Sequence, residues 1–141
     1  MRYLFTYGTL MTGQERNHVL QEHNGEYLGG SYKTGLLYNI NNLYPAFMFS
    51  SGSNQDEKDI VYVHGEVWGF HKVDWNELLP RLDQIEGHPW LFRRETMLVR
   101  IQIDEEDQLV DAMTYMGRHP DFRTQPLIKS GRWTDIKEPV T

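Results

Sequence analysis

Alternation with a period of two dominates the second half of this chain, and it excludes an all-helical fold. From Val61 to Phe70 the odd positions are Val61, Val63, Gly65, Val67 and Gly69, and larger residues occupy the even ones. That is strand spacing, because successive side chains on a strand point to opposite faces. Met97, Val99, Ile101 and Ile103 repeat the pattern against Arg100 and Gln102, and Leu109 to Met116 is a third strand candidate. These two runs flank Asp104-Glu105-Glu106-Asp107 and read as a hairpin with an acidic tip. Between Phe70 and Met97 lies the clearest helical pattern. Leu78, Leu82 and Ile85 share a face, Asp74 with Glu77 three residues later fits an N-cap, and Gly87 supplies the stop. Pro80 falls inside this pattern and predicts a kink, or two short helices meeting there.

The first half is more broken. Tyr3 to Tyr7 is short and aromatic-rich and ends at Gly8-Thr9, which reads as a buried strand entering a turn. Thr12-Gly13-Gln14-Glu15 has capping-box spacing and predicts a short helix through Gln21. Gly25, Gly29, Gly30 and Gly35 interrupt the next stretch, leaving Tyr27-Leu28 and Leu36-Leu37-Tyr38 as strand pieces. Leu43 to Phe49 is another short apolar segment, and Pro45 places it at a sheet edge or a strand start. Ser50 to Asp59 is polar throughout and reads as an exposed connecting loop, and residues 118–141 as a tail that Ile128 and Trp133 anchor to the body. With no repeat and no boundary in 141 residues, the expectation is a single domain, 1–141. Many strands and few short helices around one core predict an α+β fold with a small mixed β-barrel and short flanking helices.

Composition narrows the function classes. Fourteen Lys plus Arg against twenty Asp plus Glu leave a formal charge of −6, which argues against a generic nucleic-acid binder. The absence of cysteine excludes disulfides, a thiolate nucleophile and Cys-ligated metal sites. No run approaches the ~18 apolar residues of a membrane span, and Met1 to Tyr7 lacks the long apolar stretch of a signal peptide, so the expected setting is cytoplasmic. His64 and His71 are seven apart on a strand and so face opposite sides, and no His-x-x-x-His pair exists, so no metal site is expected. Gly-x-Ser-x-Gly and the glycine-rich phosphate loops are also missing.

Two segments carry candidate chemistry. Tyr7-Gly8-Thr9-Leu10 follows the first strand directly. Gly8 lets the backbone approach a ligand, and successive N–H groups there can form an anion nest, although a plain strand-ending turn has the same letters. Glu86 ends Leu82-Asp83-Gln84-Ile85-Glu86-Gly87 at the C-terminal end of the predicted helix, where the macrodipole prefers cations. A solvated glutamate and a functional one both fit that position. His88, close by, can orient Glu86 or simply sit satisfied in a loop.

Taken in order, Phe5-Thr6-Tyr7-Gly8-Thr9-Leu10 with Gly13 and Asn17, Tyr44-Pro45-Ala46, Val63-His64-Gly65-Glu66-Val67, Leu82-Asp83 with Glu86-Gly87, and Arg93 or Arg94 resemble the γ-glutamylcyclotransferase-like superfamily. The nearest branch is the avirulence-induced-gene-like and γ-glutamylamine cyclotransferase proteins, and the match runs from residue 3 to about residue 117. The resemblance implies a small mixed β-barrel whose cavity mouth holds Tyr7, Gly8, Thr9 and Leu10 facing one catalytic glutamate, by position Glu86. It implies a metal- and cofactor-free transferase or lyase that cyclises a γ-glutamyl amide to 5-oxoproline, releasing an amine or amino acid. Tyr115 can lend a hydroxyl to that substrate or serve core packing. Phe92 stands where the family has tyrosine. Two other readings are a carboxylate dyad of Asp83 and Glu86, and a non-catalytic module binding a small acidic metabolite in the same pocket. The acidic overall charge favours cationic leaving groups by steering.

Overall fold

The computed structural model describes residues 1–52 and 54–138. Ser53 of the polar loop and residues 139–141 of the tail lie outside the described residues. The elements run β1 (Arg2–Thr6), α1 (Asn17–Glu22), β2 (Glu26–Ile40), β3 (Tyr44–Met48), α2 (Asn54–Glu57), β4 (Val61–Phe70), α3 (Lys72–Glu86), β5 (Phe92–Ile103) and β6 (Glu106–Gly117). Two 3-10 turns follow at Pro120–Thr124 and Trp133–Asp135.

All six strands share one mixed sheet in the order β3-β2-β4-β1-β6-β5. β1 is covered on both faces, which explains its unbroken apolar run. Leu4 enters a core with Trp68, Leu78 and Leu82 beneath α3, whereas Phe5 enters a second core with Val63, Val67, Ile101 and Trp133. β1 pairs antiparallel with β4 and parallel with β6, at Tyr3↔Ala112 and Leu4↔Met113. The hairpin with the acidic tip is present. Asp104 and Glu105 have φ of 52° and 68°, the two positive values that a two-residue type I′ connection requires.

The α+β class holds, but the barrel is not closed. β3 and β5 are the edges, and no backbone ladder joins them among the described residues. The sheet curls far enough that Lys33 Nζ on β2 donates to the Leu98 carbonyl on β5 at 2.8 Å. A side chain makes that contact, so "open, barrel-like sheet" describes it correctly.

Several local expectations are corrected. The capping box at Thr12 starts no helix: Thr12 gives both its N–H and its hydroxyl to Glu66 Oε1, and α1 begins at Asn17. The strand pieces at Tyr27-Leu28 and Leu36-Leu37-Tyr38 belong to one strand, β2, which absorbs its glycines through an irregularity between Tyr27 and Gly29. The N-cap of α3 is His71, so His71 is not on a strand, and Asp74 sits in the first turn, where it accepts from Asn24 Nδ2 at 3.0 Å. Pro80 does not split α3. Trp75 and Leu78 before it and Leu82 after it are all buried, so packing on both sides compensates for the missing N–H. The polar loop contains the short helix α2. No helix among the described residues is long and apolar enough to cross a membrane.

Candidate active site

β1 ends by burying Tyr7, which is 6% exposed. Its hydroxyl donates to the Tyr115 carbonyl at 2.6 Å and accepts from the Phe47 N–H at 3.2 Å. One phenol thereby ties the end of β1 to β6 and β3, and burial pushes its pKa well above the ordinary tyrosine value. Next comes Gly8. A Cβ there would lie 2.7 Å from Pro45 Cδ and Cγ, so the glycine is required by the proline that β3 presses against the loop. Its φ is not positive.

The loop then spends its carbonyls on the protein. Gly8 O accepts from Met11 N at 3.1 Å, Thr9 O from Arg16 N at 2.9 Å, and Leu10 O from Asn17 Nδ2 at 2.8 Å. The N–H groups of Gly8, Thr9 and Leu10 take no acceptor among the described residues. Three successive donors without partners, beside a cavity, form a ready anion site. Glu66 pins the far side of the loop, since its Oε1 accepts from Thr12 N at 2.8 Å and from Trp68 Nε1 at 3.2 Å.

Glu86 arrives from the opposite side as the last residue of α3. Gly87 follows in the left-handed region (φ 62°, ψ 38°), a conformation few other residues adopt cheaply, and it turns the chain away. The Glu86 carboxyl makes no hydrogen bond or ion pair among the described residues. As a residue it keeps some solvent access, yet its carboxyl is surrounded by protein, and that burial pushes its pKa up to about 7, with Arg16 opposing the rise. A carboxyl half ionised near neutrality and unpartnered can take a proton and return it.

Tyr115 completes the wall. Its hydroxyl donates to Asp83 Oδ1 at 2.7 Å, and Asp83 in turn meets Arg94 Nε at 3.3 Å. Burial first, then the Asp83 bond, hold the phenol protonated. Asp83 is therefore committed to Tyr115 and Arg94 and does not line the cavity, which leaves the dyad reading without a second carboxyl. Of the two arginines, Arg94 faces this network and Arg93 pairs with Glu95 at 2.7 Å. Phe92 packs in an aromatic cluster with Tyr44 and Phe122, at ring separations of 5.9 and 5.2 Å.

A single small cavity of about 30 Å³ is lined by Tyr7, Gly8, Thr9, Leu10, Glu86 and Tyr115 together, residues far apart in sequence. Sequence reasoning missed Arg16, which also lines it; no motif marks that residue. It likewise missed the tie between Asp83 and Tyr115, since hydrogen-bond partners 32 residues apart leave no periodic trace. Among the described residues no cluster of three or more His, Asp or Glu is arranged to hold a metal ion.

Residues 4–135 match the model of the family described as gamma-glutamyl cyclotransferase, AIG2-like. A comparison with curated proteins finds no match. Among solved structures, an AIG2-like protein from Mus musculus superposes with a TM-score of 0.68 at 22% identity, over 92% of this chain and 87% of that one. A protein specific to uropathogenic E. coli, c4763, gives 0.63 at 18% identity over 95% and 93%. YkqA from Bacillus subtilis gives 0.63 at 21% identity, over 95% of this chain and 40% of its own length. At these identities the likeness shows the fold.

Proposed function

The chain belongs to the γ-glutamyl cyclotransferase, AIG2-like family, and from that premise we propose that it cyclises a γ-glutamyl amide to 5-oxoproline with Glu86 as its proton-transfer residue. Family membership supports cyclotransferase-type activity at that general level. The observation that carries the finer reading is the pairing, across one cavity, of an unpartnered carboxyl with raised pKa and three unpartnered backbone N–H groups.

The substrate's α-ammonium gives a proton to ionised Glu86, and the freed amine attacks its own γ-carbonyl. A new C–N bond closes the ring, and the carbonyl oxygen becomes an oxyanion that the N–H groups of Gly8 to Leu10 receive. The old amide C–N bond breaks as Glu86 returns the proton to the leaving nitrogen. The ring nitrogen, left with two hydrogens by the attack, gives its second proton to the re-ionised Glu86, which passes it to the released amine, so that the products are 5-oxoproline and an ammonium. Water is not consumed. Ring closure within one molecule supplies much of the acceleration through proximity, so one proton carrier and one oxyanion site suffice. A module that merely binds small acids fits less well, because Glu86 at the same cavity repels an anion once ionised.

The test is product analysis by mass spectrometry in ¹⁸O-labelled water. The expected product is unlabelled 5-oxoproline, and an N-acetyl-γ-glutamyl amide is inert because its nitrogen lone pair is delocalised. Label in released glutamate, or steady cleavage of the acetylated amide, overturns the mechanism.

A further inference from the structure

The cavity lining divides by depth. Tyr7, Gly8, Thr9, Leu10, Pro45 and Tyr115 are buried, whereas Arg16, Tyr44 and Glu86 are partly exposed and so mark the mouth. Arg16 is the one cation among the described lining residues. Its guanidinium has no hydrogen bond or ion pair among the described residues, although its charge is felt at both Glu86 and Tyr44. Its backbone is fixed, since its N–H donates to Thr9 O at 2.9 Å, so the loop that receives the oxyanion also sets where this side chain starts. An arginine held half-buried without a partner presents a planar fork of donors that matches a carboxylate.

If the glutamyl group occupies the buried floor and its amide bond lies at Glu86, the leaving group extends through the mouth, past Arg16. We propose that Arg16 is a specificity residue that binds a carboxylate on the leaving group, so that the preferred substrates are γ-glutamyl amino acids or γ-glutamyl peptide ends rather than γ-glutamyl derivatives of simple amines or polyamines. The inference rests on the cyclotransferase reading above. It reverses the preference that overall charge alone favours. A cation within reach of the leaving group outweighs a diffuse charge of −6, much of it on distant surface and screened beyond about 10 Å at 0.1 M salt.

The experiment compares γ-glutamylalanine with γ-glutamylethylamide, the same molecule less the alanine carboxylate, and with γ-glutamyl-1,4-diaminobutane. For the wild-type protein kcat/KM is expected to be about tenfold to a hundredfold higher for γ-glutamylalanine, the worth of a charge-assisted hydrogen bond. In Arg16→Gln that ratio collapses toward one, and Arg16→Lys restores part of it. Loss of Arg16 also frees Glu86 to titrate higher, but this acts on every substrate and cancels in the ratio. A wild-type ratio near one, or a preference for the diamine, overturns the proposal. So does a ratio unmoved by Arg16→Gln; an equal fall of kcat/KM for all three amides would then place the arginine on the glutamyl α-carboxylate that they share. If none is turned over, calorimetric binding of the same compounds separates the two claims. Tighter, Arg16-dependent binding of γ-glutamylalanine keeps this inference and removes the chemistry, and no binding removes both.

Discussion

Glu86→Gln tests the buried carboxyl through stability as well as rate. In the unfolded chain a glutamate titrates near 4.5, and burial in the folded protein raises Glu86 to about 7. The folded state therefore binds this proton more tightly than the unfolded state does. The associated stability is fully present below about pH 4.5 and is lost as pH rises through about 7. At 1.36 kcal/mol per pH unit, the interval from 4.5 to about 7 corresponds to about 3 kcal/mol. Glutamine keeps the shape and cannot ionise, so its own burial penalty is the same at every pH. The stability of Glu86→Gln relative to wild type should thus rise by about 3 kcal/mol between pH 4.5 and pH 8. For a chain of this size that is roughly 10 °C in melting temperature. Urea titrations of both proteins at half-unit pH intervals give the curve directly. A difference that stays flat across this range would refute the buried, unpaired carboxyl. The same variant is expected to lose roughly 10²- to 10⁴-fold in turnover, the usual worth of a general base.

In wild type, kcat/KM should rise as Glu86 ionises near 7 and fall again above about 8, where the substrate has lost the α-ammonium proton that Glu86 carries to the leaving nitrogen; a flat profile removes Glu86 as the base. Tyr7→Phe leaves the Phe47 N–H and the Tyr115 carbonyl without their buried partner, and chemical denaturation should show a loss of roughly 1–3 kcal/mol. Gly8→Ala forces a Cβ against the Pro45 ring and should cost roughly 1–3 kcal/mol. Combining it with Pro45→Ala should cost less than the sum of the two single changes, and strict additivity would mean that the close approach is not what selects glycine.

The period-two runs at Val61–Phe70 and Met97–Ile103, the hairpin between β5 and β6, and the stop at Gly87 were legible in the sequence because each follows from neighbours a few residues apart. Backbone sterics and alternation act locally, so local letters suffice. The loop Tyr7-Gly8-Thr9-Leu10 was legible as a motif, but the reason for its glycine was not: Gly8 answers to Pro45, which only the placement of β3 brings within 2.7 Å. Thr12 had the spacing of a helix cap and instead serves Glu66, because a carboxylate from β4 competes successfully for both of its donors. Whether the barrel closes was likewise undecidable from strand patterns, since closure depends on accumulated curl across six strands. Glu86 could be picked out as a misfit at a helix C-terminus. Its raised pKa, the loop donors at the same cavity and the unpaired Arg16 at the mouth exist only once burial and long-range contacts are formed, because desolvation and charge proximity are properties of the space around a residue.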